Sequence, residues 1–345
     1  MEILSSSDPD LKKAAAALAG GALVAFPTET VYGLGADAFN PAALARVFEA
    51  KNRPRFDPLI IHIAALDALS RVVDMAALDK KAKERLSILS EKLWPGPLTL
   101  VLPKRAELPS LATAGLGTAA VRFPSHEAAQ KLIRYAGCPV AAPSANRFGC
   151  LSPTRAEHVT AQLGERIDFI IDGGRTRVGV ESTVLDLSGE KPRILRPGGT
   201  PREEIEELIG QVELQPESDK ASLSARLSPG QLKSHYAPGT PLFLCERGGL
   251  SLLPDVPDEG RLYFSAPGTA GGLSGNRTRV LSKTGDPFEA AANLFDMLHE
   301  LDGMGLKLIR AEKAPNLGLG EAINDRLRRA GSRELSTGFN EKRIL

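Results

Sequence analysis

The sequence has almost no surplus of either charge: 43 Lys and Arg stand against 42 Asp and Glu, a formal +1. A protein that grips nucleic acid mainly through phosphates carries a clear basic excess, so that main task is excluded and only a local patch is left open. Cysteine is scarce. Cys138, Cys150 and Cys245 form no CxxC pair and leave one odd, which excludes a disulfide framework and fits a reducing compartment. The five histidines are scattered, without HExxH or a Cys/His cluster, so no zinc site is expected. There is no Gly-Lys dipeptide and hence no Walker A loop, and no GxSxG elbow. Gly115-x-Gly117-x-x-Ala120 fits a loose dinucleotide fingerprint but precedes a strand pattern instead of following one. Long apolar runs are also missing. Ala14 to Phe26 is uncharged, but Gly20-Gly21 splits it, Glu2, Asp8 and Asp10 precede it, and no small-residue cleavage site follows. It is neither a signal peptide nor long enough to span a bilayer. It reads as a helix and a strand of a soluble, cytoplasmic protein.

What is present is ordinary globular material, 42% apolar and 25% charged. At about 150 residues per domain, 345 residues suggest two domains. Up to residue 209, helix and strand patterns alternate. Asp8-Pro9 and Asn40-Pro41 open helices. Residues 22–26, 59–64, 98–102, 119–123, 138–142, 168–172, 183–187 and 193–196 read as strands, and 75–93 and 126–136 as helices. Thr200-Pro201-x-Glu203 reads as a capping box. Residues 210–240, rich in Ser, Pro, Glu and Lys, read as a linker. A smaller α/β pattern follows over 241–345, with strands near 241–245, 261–265 and 306–310, a helix capped at Asp286-Pro287 and a last helix near 320–330. The alternation points to an α/β fold with a mostly covered sheet.

Four segments carry chemistry. PTETVYGLG (27–35) has hydroxyls, a carboxylate and glycines after a strand, suiting either a ligand-approach loop or a tight turn. Lys51, Arg53 and Arg55 cluster at a helix end, suiting phosphate binding or a solvated cationic cap. His62 sits in an apolar strand whose alternation does not say which way it faces. Arg122 at a strand end needs an anion if buried, either a bidentate ligand carboxylate or a structural partner. Ser144 and Asn146 follow a strand end, where open α/β sheets bind ligands. Ser152 and Thr154 cap a helix or join that loop. Ser182 and Arg196 flank glycine-rich turns.

In order, PTETVYGLG, KNRPRFDPLIIH, WPGPLTLVL, VRFP, APSANRFG, VESTVLDL and ILRPGG resemble the YrdC-like domain of threonylcarbamoyl-AMP synthases over about residues 10–208. SPGQLKSHYAP (228–238) and NLGLGEAINDRLRRA (316–330) resemble the linker and C-terminal domain of the family's long form. The resemblance implies a twisted mixed α/β sheet with a concave cleft over residues 1–209. It also implies a lid-like linker at 210–240 and a smaller Rossmann-like domain at 241–345. It implies a reaction: L-threonine, bicarbonate and ATP, with magnesium on the ATP, give L-threonylcarbamoyladenylate, pyrophosphate and water. A downstream complex then transfers the group to the adenosine next to the anticodon of ANN-decoding tRNAs, so tRNA is met only indirectly. By the same resemblance, Lys51, Arg53, Asp57, Thr118, Ser144, Asn146, Ser152, Arg196, His235 and Tyr236 meet ATP. Thr30, His62, Arg122, Ala142 and Ser182 meet threonine. No protein side chain is implied as a metal ligand, and none as a general base.

Two other classes compete. An RNA-binding module without catalysis would use the Lys51/Arg53/Arg55 cluster, but neutral charge and absent stacking motifs count against it. A carbamoyl-phosphate-using relative needs acylphosphatase and zinc-finger-like segments, for which this chain has neither length nor cysteines.

Overall fold

The computed structural model describes residues 1–215, 236–267 and 276–331. His235 and most of the linker lie outside the described residues. Strands β1 (Glu2–Ser5), β2 (Val24–Phe26), β3 (Gly33–Asp37), β4 (Ile60–His62), β5 (Leu98–Pro103), β6 (Thr118–Arg122), β7 (Val140–Ala141), β8 (Phe169–Asp172), β9 (Thr183–Asp186), β10 (Arg193–Arg196) and β11 (Glu213–Leu214) form one mixed sheet. Its order is β1-β8-β2-β3-β7-β4-β6-β5-β9-β10-β11. Helices α1 (Asp8–Ala19), α2 (Pro41–Lys51), α3 (Lys80–Leu93), α4 (Glu127–Ala136), α5 (Ala156–Leu163) and α6 (Arg202–Ile209) pack on it.

Strand alternation sorts the core into layers. Val24, Phe26 and Ile171 point toward α1 and α4, packing with Leu11, Leu18 and Leu132. Their chain neighbours Leu23, Ala25 and Ile170 pack the other way, with Val47 and Val159 of α2 and α5. Farther along the sheet, Ile61, Leu98, Leu100, Val121 and Leu185 bury against Leu86 and Leu89 of α3 and Ile205 of α6. The alternate residues Ile60, Val101, Ala120, Val184 and Leu195 form a small cluster on the opposite face. By register this is also the face that α1 and α4 cover over β2 and β7; the cluster itself contains no helix residue, and the cleft described below opens beside it.

A second, fully parallel sheet has the order β12-β15-β13-β14, from β12 (Leu242–Cys245), β13 (Glu259–Ser265), β14 (Thr278–Ser282) and β15 (Leu308–Glu312). Helices α7 (Pro287–Asp302) and α8 (Leu319–Gly331) pack against it. The two sheets share a core: Val31, Leu151, Val180 and Tyr236 pack with Leu294, Phe295 and Leu298 of α7. The approach is close enough that a Cβ on Gly179 would lie 2.4 Å from the Ala291 carbonyl oxygen. Polar contacts add to it. Arg155 forks onto Asp296 at 2.7 and 3.0 Å, and the His158 and His299 rings stack with centroids 3.8 Å apart.

Several sequence expectations need correction. Helix α1 begins at Asp8, which does not cap it: Ser7 holds the capping position without a side-chain cap, and Asp8 pairs with Lys131. Helix α3 starts at Lys80, where the Asp79 side chain accepts from Ala82 N; residues 75–78 are outside it. Thr200 forms no capping box, since its backbone N–H and carbonyl are both taken by the Thr183 hydroxyl. The glycine-rich 33–37 is a strand. Asn40 and Asp286 do cap α2 and α7.

Candidate functional site

The register places a line of side chains across the part of this face that α1 and α4 leave open. His62 of β4 pairs with Arg122 of β6, Arg122 with Thr99 of β5, Thr99 with Val184 of β9, and Val184 with Arg196 of β10. Alternation points His62, Arg122, Thr99 and Val184 to one side, and the bulge between Ile194 and Arg196 brings Arg196 to the cleft although its neighbour Leu195 packs on that face too. Loops from flanking strand ends wall this line into a cleft. Of the expected residues, Thr30, Arg53, His62, Arg122, Ala142, Ser144, Ser182, Arg196 and Tyr236 line it.

At one end, Arg122 Nη2 lies 2.8 Å from Glu29 Oε1, an ion pair without the in-line geometry of a hydrogen bond. Arg122 Nε donates to Gly96 O at 3.4 Å, and Nη1 has no partner among the described residues. Glu29 Oε2 accepts from Ser125 N at 3.1 Å. Thr28 and Thr30 share a 2.8 Å hydroxyl contact. His62 Nδ1 sits 3.2 Å from Ile60 O. Burial, and secondarily the Arg122 charge, push its pKa down to about 3, so the imidazole is neutral at ordinary pH.

At the other end, Arg53 donates from Nη2 to Pro58 O at 2.9 Å and faces Asp57 Oδ2 at 2.9 Å. Its Nη1 has no partner among the described residues. Arg196 donates from Nε and Nη2 to Ser182 O at 3.2 and 2.9 Å, and reaches the Ser182 hydroxyl at 3.2 Å. Ser182 Oγ also contacts Thr99 Oγ1 at 2.7 Å. The ILRPGG turn presses against the VEST segment so tightly that a Cβ on Gly198 would lie 2.3 Å from Glu181 O; only glycine fits there.

Five expected residues stand elsewhere. Lys51 is buried behind the cleft and donates to the carbonyls of Ser144 and Asn146; burial, then the Arg53 charge, hold its pKa well below the ordinary lysine value. It thus shapes the loop that carries Ser144. Asp57 is the ion partner of Arg53. Asn146 donates to Arg147 O and Cys150 O at 2.9 and 2.8 Å, and its buried Oδ1 has no partner among the described residues. Ser152 donates to Glu181 Oε1. Thr118 opens β6 opposite Pro103, four residues from Arg122, or roughly 13 Å by strand rise; it does not line the cleft.

The sequence reading missed two carboxylates, Glu29 and Glu181. Burial favours protonating Glu181, yet the Arg326 and Arg196 charges and the Ser152 hydroxyl outweigh it and hold its pKa below the usual value. Both acids sit inside the quoted motifs, but their partners Arg122 and Arg326 are distant in sequence. Tyr236, at φ 60°, is buried between Phe295, with centroids 5.8 Å apart, and the Arg326 guanidinium, 5.0 Å from its ring.

The arrangement defines a class first: a YrdC-type α/β cleft built for anionic ligands. The Sua5/YciO/YrdC family model, described as "Telomere recombination", matches residues 16–198, and the "Threonylcarbamoyl-AMP synthase, C-terminal domain" model matches 200–332. The threonylcarbamoyl-AMP synthase of Pyrococcus abyssi is 44% identical over 327 residues, covering 93% of each chain. That of Bacillus subtilis is 42% identical over 337 residues, covering 95% of this chain and 94% of the relative. The crystal structure of P. abyssi Sua5 complexed with L-threonine superposes with a TM-score of 0.86 at 39% identity, covering 96% of this chain and 98% of the other. The chain belongs to the threonylcarbamoyl-AMP synthase family, in its long, two-domain form.

Proposed function

We propose that this enzyme joins L-threonine, bicarbonate and ATP into L-threonylcarbamoyladenylate, releasing pyrophosphate and water. The observation that carries the reading is the single line His62–Arg122–Thr99–Val184–Arg196, which puts two buried arginines at opposite ends of one cleft.

The threonine carboxylate would lie on Arg122 Nη1, with Glu29 fixing the guanidinium, and Thr30 and Ser182 would read the polar edge of the amino acid. Neutral His62 adds no competing charge and can donate or accept one hydrogen bond. Condensation of the amine with bicarbonate gives the carbamate and water. A carbamate oxygen then attacks the α-phosphorus, and the phosphoanhydride bond to pyrophosphate breaks. Arg53 and Arg196 would stabilise the charge that develops there, so the catalysis is positioning plus electrostatics without a covalent enzyme intermediate. Ser144, Asn146 and Tyr236 would hold the nucleotide, with Lys51 acting through the 144–146 backbone. Ala142, whose N–H is bonded to Ile60 O, would leave room beside the amino acid.

No group of three His, Cys, Asp or Glu converges among the described residues to hold a metal. Glu29, Asp57 and Glu181 each face an arginine. Magnesium fits this cleft as an ion brought in on the triphosphate, where it would neutralise phosphate charge. The division into 1–209, 210–240 and 241–345, a downstream complex that takes the adenylate to tRNA, and a cytoplasmic setting belong to the same proposal. Among the described residues no helix is long and apolar enough to cross a membrane. An RNA-binding module is disfavoured because the cleft cations are buried and opposed by carboxylates.

The test is pyrophosphate release with ATP, magnesium and bicarbonate. Release that appears with L-threonine and drops with L-serine supports the reading; threonine-independent behaviour overturns it.

A further inference from the structure

The motif at 316–330 has no place in the reaction so far. Helix α8 nevertheless sets a residue directly behind the cleft lining, against Glu181 and Tyr236. Arg326 is the largest fully buried side chain among the described residues, and it comes from the second sheet's domain. Its Nε donates to Glu181 Oε2 at 2.7 Å and its Nη1 to Pro197 O at 2.9 Å, while its plane covers the Tyr236 ring. Asp325 steers it from the same helix, 2.8 Å from Nη1, and is itself forked by Arg329 at 3.0 Å. The other Glu181 oxygen accepts the Ser152 hydroxyl. His299 Nε2, also from the second domain, meets Ser152 O at 3.1 Å.

We infer that Arg326 is a positioning residue for the nucleotide end of the cleft, holding Glu181 on Ser152 and the Tyr236 ring in place. The inference rests on the proposed function and goes beyond it, because it gives the second domain a part in forming the ATP site. A buried carboxylate needs a cation. Without Arg326, the next cation bearing on Glu181 is Arg196. Drawing Arg196 to Glu181 would take it off Ser182 and out of the line that crosses the cleft.

The experiment uses the full chain with Arg326→Gln, Arg326→Lys, Glu181→Gln, the Glu181→Gln/Arg326→Gln pair and Asp296→Asn. ATP affinity is read by calorimetry and both KM values by pyrophosphate release. Arg326→Gln is expected to weaken ATP binding at least tenfold while the threonine KM stays within twofold. Arg326→Lys should recover part of the loss and guards against a variant that simply misfolds. The double variant should lose no more than Arg326→Gln alone, since both remove one unit. Asp296→Asn, which loosens the domain contact away from Glu181, should leave ATP affinity within twofold. Wild-type ATP affinity in Arg326→Gln overturns the inference. So does a parallel loss for both substrates, or an equal loss in Asp296→Asn. A wild-type chain that binds ATP but releases no pyrophosphate with threonine defeats the proposed function instead, and the calorimetric comparison still decides the role of Arg326.

Discussion

In the small parallel sheet, Arg310 of β15 is closed by a fork: Nε and Nη2 meet the two oxygens of Glu259 at 2.9 and 3.0 Å. Beside it, Arg261 is wrapped by the carbonyls of Leu250, Leu253 and Pro254. The large sheet treats Arg122 differently. It shares one nitrogen with one oxygen of Glu29, whose other oxygen is on Ser125 N, and a further nitrogen is left for something else. Buried charge is common to both regions, so burial alone does not mark a ligand site. Nor does incomplete pairing alone, since Arg261 Nε has no hydrogen-bond partner among the described residues; a spare donor at the wall of a cleft does, because a ligand can reach it.

The largest expected effect comes from removing each arginine in turn. Arg122→Leu strands Glu29 as a buried lone charge, so unfolding stability should fall by about 3–5 kcal/mol, and threonine-dependent pyrophosphate release by at least 100-fold. Arg310→Met should cost about 1.5–3 kcal/mol, with both KM values within twofold of wild type. Denaturant titration and initial rates check both; an Arg310 variant that loses substrate affinity would erase the distinction.

Two histidines extend the contrast to pH. His62 in the cleft is held down to about 3, mainly by burial, and His158 at the contact between domains to about 4, by burial and then by His299. Both pKa values are lowered on folding. As pH falls below the unfolded value near 6.5, the unfolded chain therefore takes up protons that the native one refuses. Stability is complete above that value and declines toward pH 4, by up to about 1.4 kcal/mol per pH unit for each histidine. His158→Gln should flatten the decline between pH 6.5 and 4.5 without altering the ATP KM. An unchanged slope in denaturant melts would sink this assignment.

The smallest effect sharpens the contrast from the structural side. Asp286 caps α7 by accepting from Phe288 N at 2.9 Å, so Asp286→Ala should cost about 1 kcal/mol and leave turnover alone. A shift of more than twofold in the threonine KM would mean that α7 tunes the cleft.

Much of this was legible in the sequence for local reasons. Asn40-Pro41 and Asp286-Pro287 carry their helix starts in two residues, and the apolar runs of β4, β5 and β6 are plain. The seven motifs contain fourteen of the fifteen residues that line the cleft, all but Tyr236. Glycine hid β3, because a strand of GLGAD shows no side-chain alternation. Thr200 misled because a threonine before proline looks like a cap until Thr183 is seen to hold its backbone. The direction of His62 needed the pairing with Arg122. Glu29 and Glu181 stayed hidden since a carboxylate shows its role only through its partner, and Glu181 finds Arg326 145 positions away.

That separation also sets an order in time. A ribosome delivers Glu181 first and, at 5–20 residues per second, takes roughly 7–30 s to deliver Arg326. During that interval the nascent large sheet carries an acid with no counter-ion from α8. The Arg196 end of the cleft is therefore among the last parts of the molecule to be finished, and a chain cut short before α8 leaves the ribosome without the Arg326–Glu181 contact.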